Sequence, residues 1–251
     1  MRKPIIAGNW KLNKTLNESA QLVTLLKRLV TDTSHVEVVV CPVFTALSSI
    51  SEILMDSDIQ LGAQDMYWEE KGAFTGEVSG GLLKDAGVKF VIIGHSERRQ
   101  FFHETHETVN KKTKAALNNG LTPIVCIGEM LAERENGSTF KVLEEQMKGA
   151  LAGFSAEDTK KMVVAYEPVW AISNGDPYTT KKLPTVEKVQ MARDCIKKIL
   201  SENNVQGVRI IYGGSANAQN AKQYLEITDG LLVGGASLNA EEFIKIVKSA
   251  E

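Results

Sequence analysis

The stretch MVVAYEP, residues 162–168, runs through apolar residues into a carboxylate, Glu167, and stops at once on Pro168. A short, nearly continuous apolar run of this kind reads as a strand buried on both faces, as in a parallel sheet with helices packed on each side. The same form recurs at 4–10 (PIIAGNW), 37–42 (EVVVCP), 59–64 (IQLGAQ), 89–95 (KFVIIGH), 123–129 (PIVCIGE), 208–214 (VRIIYGG) and 230–237 (GLLVGGAS). Each run ends near Gly, Asn, His, Glu or Pro and is followed by a longer segment.

Those longer segments carry helical spacing. Leu22, Leu25, Leu26 and Leu29 are expected to mark one buried helix face, and Phe243, Ile246 and Val247 another. No Gly-, Pro- or Ser-rich linker interrupts the alternation, so residues 1–251 are expected to form one domain. Eight strand-helix units in 251 residues predict a (β/α)8 barrel of eight parallel strands inside a ring of helices, with a doubly wound open sheet as the alternative.

Composition narrows the function classes. A net charge of -2 supplies no global field for nucleic acid, and no apolar run approaches the length of a membrane span. The opening MRKPIIAGNW reaches Gly8 and Asn9 before a signal-peptide core could form, so a cytoplasmic protein is expected. Cys41, Cys126 and Cys195 are odd in number and widely spaced, and read as reduced packing residues. The string HETHE at 103–107 has its histidines three apart, which is not the H-E-x-x-H spacing of zinc hydrolases, and reads as a solvated helix start. Neither a metal nor a nucleotide cofactor is implied.

In a barrel the carboxyl ends of the strands converge on one mouth. Asn9 and Lys11 would stand there after strand one, His95 and Glu97 after strand four, Glu129 after strand five and Glu167 after strand six. Gly213, Gly214 and Ser215 would follow strand seven, and Gly234 and Gly235 strand eight. Both signs of charge, a histidine and two glycine-rich turns suit an enzyme acting on a small anionic substrate. A carboxylate at the end of a buried strand is a candidate base, since desolvation raises its basicity. A strand-end histidine that opens a helix can hold its ring through one nitrogen and donate with the other.

The blocks GNWKLN (8–13), GAQD (62–65), GAFTGE (72–77), GHSERR (94–99), CIGE (126–129), AYEPVWAI (165–172), YGGS (212–215) and LLVGGASL (231–238) resemble the signature blocks of the triosephosphate isomerase family, in family order along nearly the whole chain. The resemblance implies a dimeric isomerase without cofactor or metal, interconverting dihydroxyacetone phosphate and glyceraldehyde 3-phosphate in glycolysis and gluconeogenesis. It implies Glu167 as base, His95 as neutral electrophile, and Lys11 as oxyanion stabiliser beside Asn9 and paired with Glu97. Glu129 is left as a brace of the rim. Phosphate would rest on Ser173, Ser215, Gly234 and Gly235 with Asn9 and Lys11 nearby. The alternative is a phosphate-binding barrel with impaired chemistry. A Schiff-base aldolase would need a lysine inside a strand, and none is visible.

QDMYWEEKGAFTGE, which starts with Gln64 and closes on Glu77, is long for a loop and rich in aromatic residues. By resemblance it inserts into a second subunit, with Thr75 near the partner's site. Two departures stand out. His103 occupies a position usually held by glycine, which leaves the local backbone geometry open. The lid after Trp170, usually Gly-Thr-Gly-Lys and two small residues, here reads Ser173, Asn174, Gly175, Asp176, Pro177 and Tyr178 with extra residues after it, so its second hinge is altered.

Overall fold

The computed structural model describes residues 3–30, 33–172 and 183–250. Its eight strands are β1 (Ile5–Asn9), β2 (Glu37–Cys41), β3 (Gln60–Ala63), β4 (Phe90–Ile93), β5 (Thr122–Ile127), β6 (Val163–Tyr166), β7 (Arg209–Tyr212) and β8 (Gly230–Val233). They pair in sequence order, all parallel, and β8 returns to β1 with Ile5 opposite Gly230. The result is the closed barrel that the eight apolar runs predicted.

Alternation along each strand builds two cores. Ile5, Ala7, Val39, Cys41, Phe90, Ile92, Ile124, Cys126, Val163, Ala165, Ile211 and Leu232 fill the barrel interior. Their neighbours, among them Ile6, Val38, Val40, Val91, Ile93, Val125, Val164 and Ile210, join the outer core under the helices. Because both faces are covered, each strand can be apolar at nearly every position.

The helices are α1 (Leu16–Leu29), α2 (Leu47–Leu54), α3 (Gly80–Asp85), α4 (Ser96–Phe101), α5 (His106–Asn118), α6 (Leu131–Glu135), α7 (Thr139–Leu151), α8 (Ala156–Thr159), α9 (Val186–Glu202), α10 (Ala221–Leu225) and α11 (Ala240–Lys248). Their starts are locally encoded. Thr15 caps α1 and Glu18 reaches back to the Thr15 amide at 2.7 Å, while Ser79, Thr105, Ser155 and Asn239 cap α3, α5, α8 and α11. Phe243, Ile246 and Val247 are buried on α11 as expected. On α1 the buried face is Leu22, Val23 and Leu26 with Leu29 packed at its edge, whereas Leu25 is 42% exposed. The apolar stripe turns slightly away from Leu25 because Val23 takes the inward position.

The backbone at His103 now has an explanation. Phe102 closes α4, and His103 follows it with φ of +56°, the left-handed conformation that ends many helices and favours glycine. Histidine tolerates that region better than most residues, and a β-branched side chain tolerates it worst. His103→Val should lower stability by about 1–2 kcal/mol, while His103→Gly should leave it unchanged or raise it. Thermal melts of the two variants check this, and equal melting temperatures would remove backbone strain as the constraint at this position.

Candidate active site

The carboxyl ends of the strands enclose a cavity of about 210 Å³ lined by Asn9, Lys11, His95, Ser215, Gly234 and Gly235, together with Ile172, Asn217 and Leu232. Eight of the residues read from the sequence are thus brought together, Gly213 and Gly214 among them. Ser173 and the altered lid from Ser173 to Tyr178 lie outside the described residues.

His95 is placed by the start of α4. It is the N-cap residue, and its Nδ1 accepts the amide N–H of Glu97 at 3.2 Å. With that lone pair engaged, the ring proton belongs on Nε2, and this assignment rests on the hydrogen bond. Nε2 stands 3.2 Å from Oε1 of Glu167.

Lys11 follows β1 in the left-handed region, φ +53°, a conformation a lysine adopts only with support. Its N–H donates to Oδ1 of Asn9 at 3.1 Å, and its carbonyl accepts from Nε2 of Gln64 at 2.9 Å. Gln64 also binds the carbonyl of Cys41 at 2.9 Å, so one amide ties the ends of β1 and β2. The Lys11 ammonium pairs with Oε1 of Glu97 at 2.5 Å. Glu97 itself lines the neighbouring groove, not the cavity.

Glu167 is 1% exposed and turned away from the cavity. Its Oε2 accepts the N–H of Ser96 at 3.0 Å, while Oε1, although close to His95, lacks an aligned hydrogen-bond donor among the described residues. Two glycines make room for it. A Cβ at Gly128 would overlap the Glu167 carbonyl, and one at Gly213 would come within 2.8 Å of its Cγ. Glu129 is fully buried and accepts from Tyr166 Oη, Nε1 of Trp170 at 2.9 Å and Arg134 at 3.3 Å, with the Arg134 guanidinium 4.9 Å above the Trp170 ring. That is a brace for the segment after Glu167.

The Ser215 hydroxyl donates to the carbonyl of Ala171 at 2.7 Å, linking the loop after β7 to the chain leaving β6. Gly235 has open space where a side chain would stand, and the stem of Lys11 passes 3.6 Å from a Cβ built at Gly234. Three residues were missed in the sequence: Gln64, Ser96 and Arg99. Their signal was position, since each lies within one of the strand-end blocks already singled out.

A second groove, about 720 Å³, adjoins the cavity and contains Leu12, Phe44, Glu97, Arg98 and Phe102. Beside it Asp65 and Glu104 share Lys112 and Arg98, with 2.7 Å from Lys112 to Asp65 and 2.9 Å from Arg98 to Asp65. The HETHE helix start is therefore not simply solvated, because the Glu104 carboxylate is buried in this cluster. The aromatic loop is also partly committed to its own subunit. Met66 is buried and Trp68 packs on the outer core, leaving Phe74 and Thr75 exposed at the tip.

A family model described as triosephosphate isomerase matches residues 4–250. Curated relatives named triosephosphate isomerase include those of Endomicrobium trichonymphae, 50% identical with 99% of each chain covered, and Alkaliphilus oremlandii, 51% identical with 98% of this chain and 99% of the relative covered. The crystal structure of triosephosphate isomerase from Bartonella henselae superposes with a TM-score of 0.87 at 34% identity, covering 98% of each chain.

The cluster beside the groove gives a pH signature. Burial pushes the Asp65 carboxyl up to about 6, Lys112 pulls against it and the Glu104 charge adds to it. A carboxyl with a higher pKa folded than unfolded binds protons more tightly in the native state, so its contribution to stability falls as pH rises from 3.8 towards about 6. Asp65→Asn removes that slope. Melting temperatures across this window should show the variant gaining on the parent as pH rises, and parallel curves would show that Asp65 does not titrate there.

Proposed function

The chain belongs to the triosephosphate isomerase family, so it is an isomerase that needs no cofactor, and from that premise we propose the following division of labour for interconverting dihydroxyacetone phosphate and glyceraldehyde 3-phosphate. The observation that carries it is that Lys11 and His95 line one small cavity at the strand ends while the Glu167 carboxylate rests behind it, 3.2 Å from Nε2 of His95. Moving a carbonyl between adjacent carbons needs one base able to reach both, a donor to the oxygens and compensation for the charge of the enediolate.

Glu167 is the base. It swings from the Ser96 amide into the cavity, takes the proton beside the carbonyl and returns it to the neighbouring carbon. His95 donates from Nε2 to the substrate oxygens, because Nδ1 is occupied by the Glu97 amide. Lys11 stabilises the developing negative charge, and Asn9 and Glu97 hold Lys11 in place. The phosphate rests on the amides of Gly234 and Gly235 with Ser215, completed by the Ser173 amide. One barrel domain, 1–251, supplies all of these groups.

The working form is a homodimer in the cytoplasm. Leu12, 95% exposed, stands in the groove beside Lys11 and Glu97, while Phe74 and Thr75 stand exposed at the tip of the long loop. An apolar groove next to a site and an apolar loop tip on the same chain suit reciprocal insertion about a two-fold axis, with Thr75 reaching the partner's site.

Glu167→Gln should keep inhibition by inorganic phosphate while losing on the order of a thousandfold or more in kcat. Near-normal turnover would take Glu167 out of the mechanism. Leu12→Glu places a charge in the groove at a position free of intrachain packing. It should give monomers by sedimentation velocity with at least about tenfold lower activity, a loss of roughly 1.4 kcal/mol in transition-state stabilisation. A fully dimeric, fully active variant would sink the groove as the subunit interface.

A further inference from the structure

Behind Glu167, on the side away from the cavity, lies a guanidinium for which the isomerisation as described has no use. Arg99 extends from α4 beneath the strand ends. Its Nε donates to the carbonyl of Gly94 at 2.8 Å and one terminal nitrogen to the carbonyl of Cys126 at 3.2 Å. The other terminal nitrogen lies 3.3 Å from Nδ1 of His106. No carboxylate comes within ion-pairing distance of Arg99 among the described residues. Arg99 and Glu167 nevertheless line the same small pocket, with Gly94, Ser96, Cys126 and Gly128.

The two charges complement each other. Glu167 is buried with a single hydrogen-bonded oxygen, an incomplete solvation for a carboxylate. Arg99 is a cation whose burial pulls its pKa down, with the charges of Glu104 and Glu167 among those pulling it back. Its planar fork is filled by two carbonyls and an imidazole, so it is held in one orientation. Burial and the Arg99 charge both lower the pKa of His106, which keeps that ring an acceptor.

We propose that Arg99 is a positioning residue for the isomerisation: its guanidinium is the counter-charge against which Glu167 rests outside the cavity, and its bonds to Gly94 and Cys126 lock the ends of β4 and β5 on either side of that resting place. The proposal rests on Glu167 being the base. A buried carboxylate without a counter-charge is held neutral by desolvation, and a neutral carboxyl removes no proton. The guanidinium stays on its carbonyls while the carboxylate leaves for the substrate. Glu167 thus exchanges one cationic environment for that of Lys11.

Arg99→Met and Arg99→Lys test this, with thermal melts alongside kinetics. Arg99→Met should lower kcat at least tenfold, with KM and inhibition by inorganic phosphate within about twofold of the parent. Arg99→Lys, which keeps the charge and loses the fork, should recover most of kcat even where both variants melt lower. Equal loss in the two variants, or a kcat within twofold of the parent in Arg99→Met, overturns the counter-charge role. The double variant Glu167→Gln with Arg99→Met separates this proposal from the base assignment. If Arg99 acts through Glu167, the double variant is no slower than Glu167→Gln alone, whereas a further tenfold loss overturns the proposal even though Glu167 remains the base. Near-normal turnover in Glu167→Gln would overturn both.

Discussion

Closure of β8 onto β1 is the constraint from which the rest follows. A parallel sheet that closes has no edge strand, so every strand is paired on both sides and all point the same way. Alternate residues then face either the interior or the helices, and both destinations are apolar. The chain can place polar chemistry only where strands end. Asn9, Lys11, His95, Glu129 and Glu167 all fall within about two residues of a strand terminus for that reason.

Convergence alone does not make a site, because side chains at strand ends are free to turn. Here each is held by the first residues of the element that follows or by an adjacent strand end. His95 is held by the amide of Glu97, Lys11 by Asn9 and Gln64, Glu167 by the amide of Ser96, and Glu129 by a tyrosine, a tryptophan and an arginine. The bonds to His95, Lys11 and Glu129 hold those residues in place before substrate arrives, whereas the bond from Ser96 keeps Glu167 in a resting position that it must leave.

The fold was legible because buried parallel strands leave a strong signal: short apolar runs punctuated by Gly, Pro or a polar residue, eight times over. The mouth residues were legible by the same token, since their position after each run could be counted. The contacts among them were not. Asp65 and Glu104 are 39 residues apart and give no periodic sign that they will share Lys112 and Arg98. The resting orientation of Glu167 could not be read either, because it depends on the space that Gly128 and Gly213 leave open and on an amide from another strand's end. His103 is the converse case, where a residue out of pattern in the sequence marked a real backbone feature.

The thiols carry a consequence of a different kind. Cys41 lies inside the barrel with its pKa pushed up to about 12 by burial, and Cys126 lies beside Glu167 with its pKa raised well above the ordinary thiol value, by burial and then by that carboxylate's charge. Neither is a thiolate in the folded chain, and neither can meet a reagent while the strands remain paired. Cys195, half-buried on α9, is the accessible member. An alkylating reagent therefore reads two clocks in one molecule: Cys195 reports motion of the outer helices, and the interior pair reports only opening of the barrel itself.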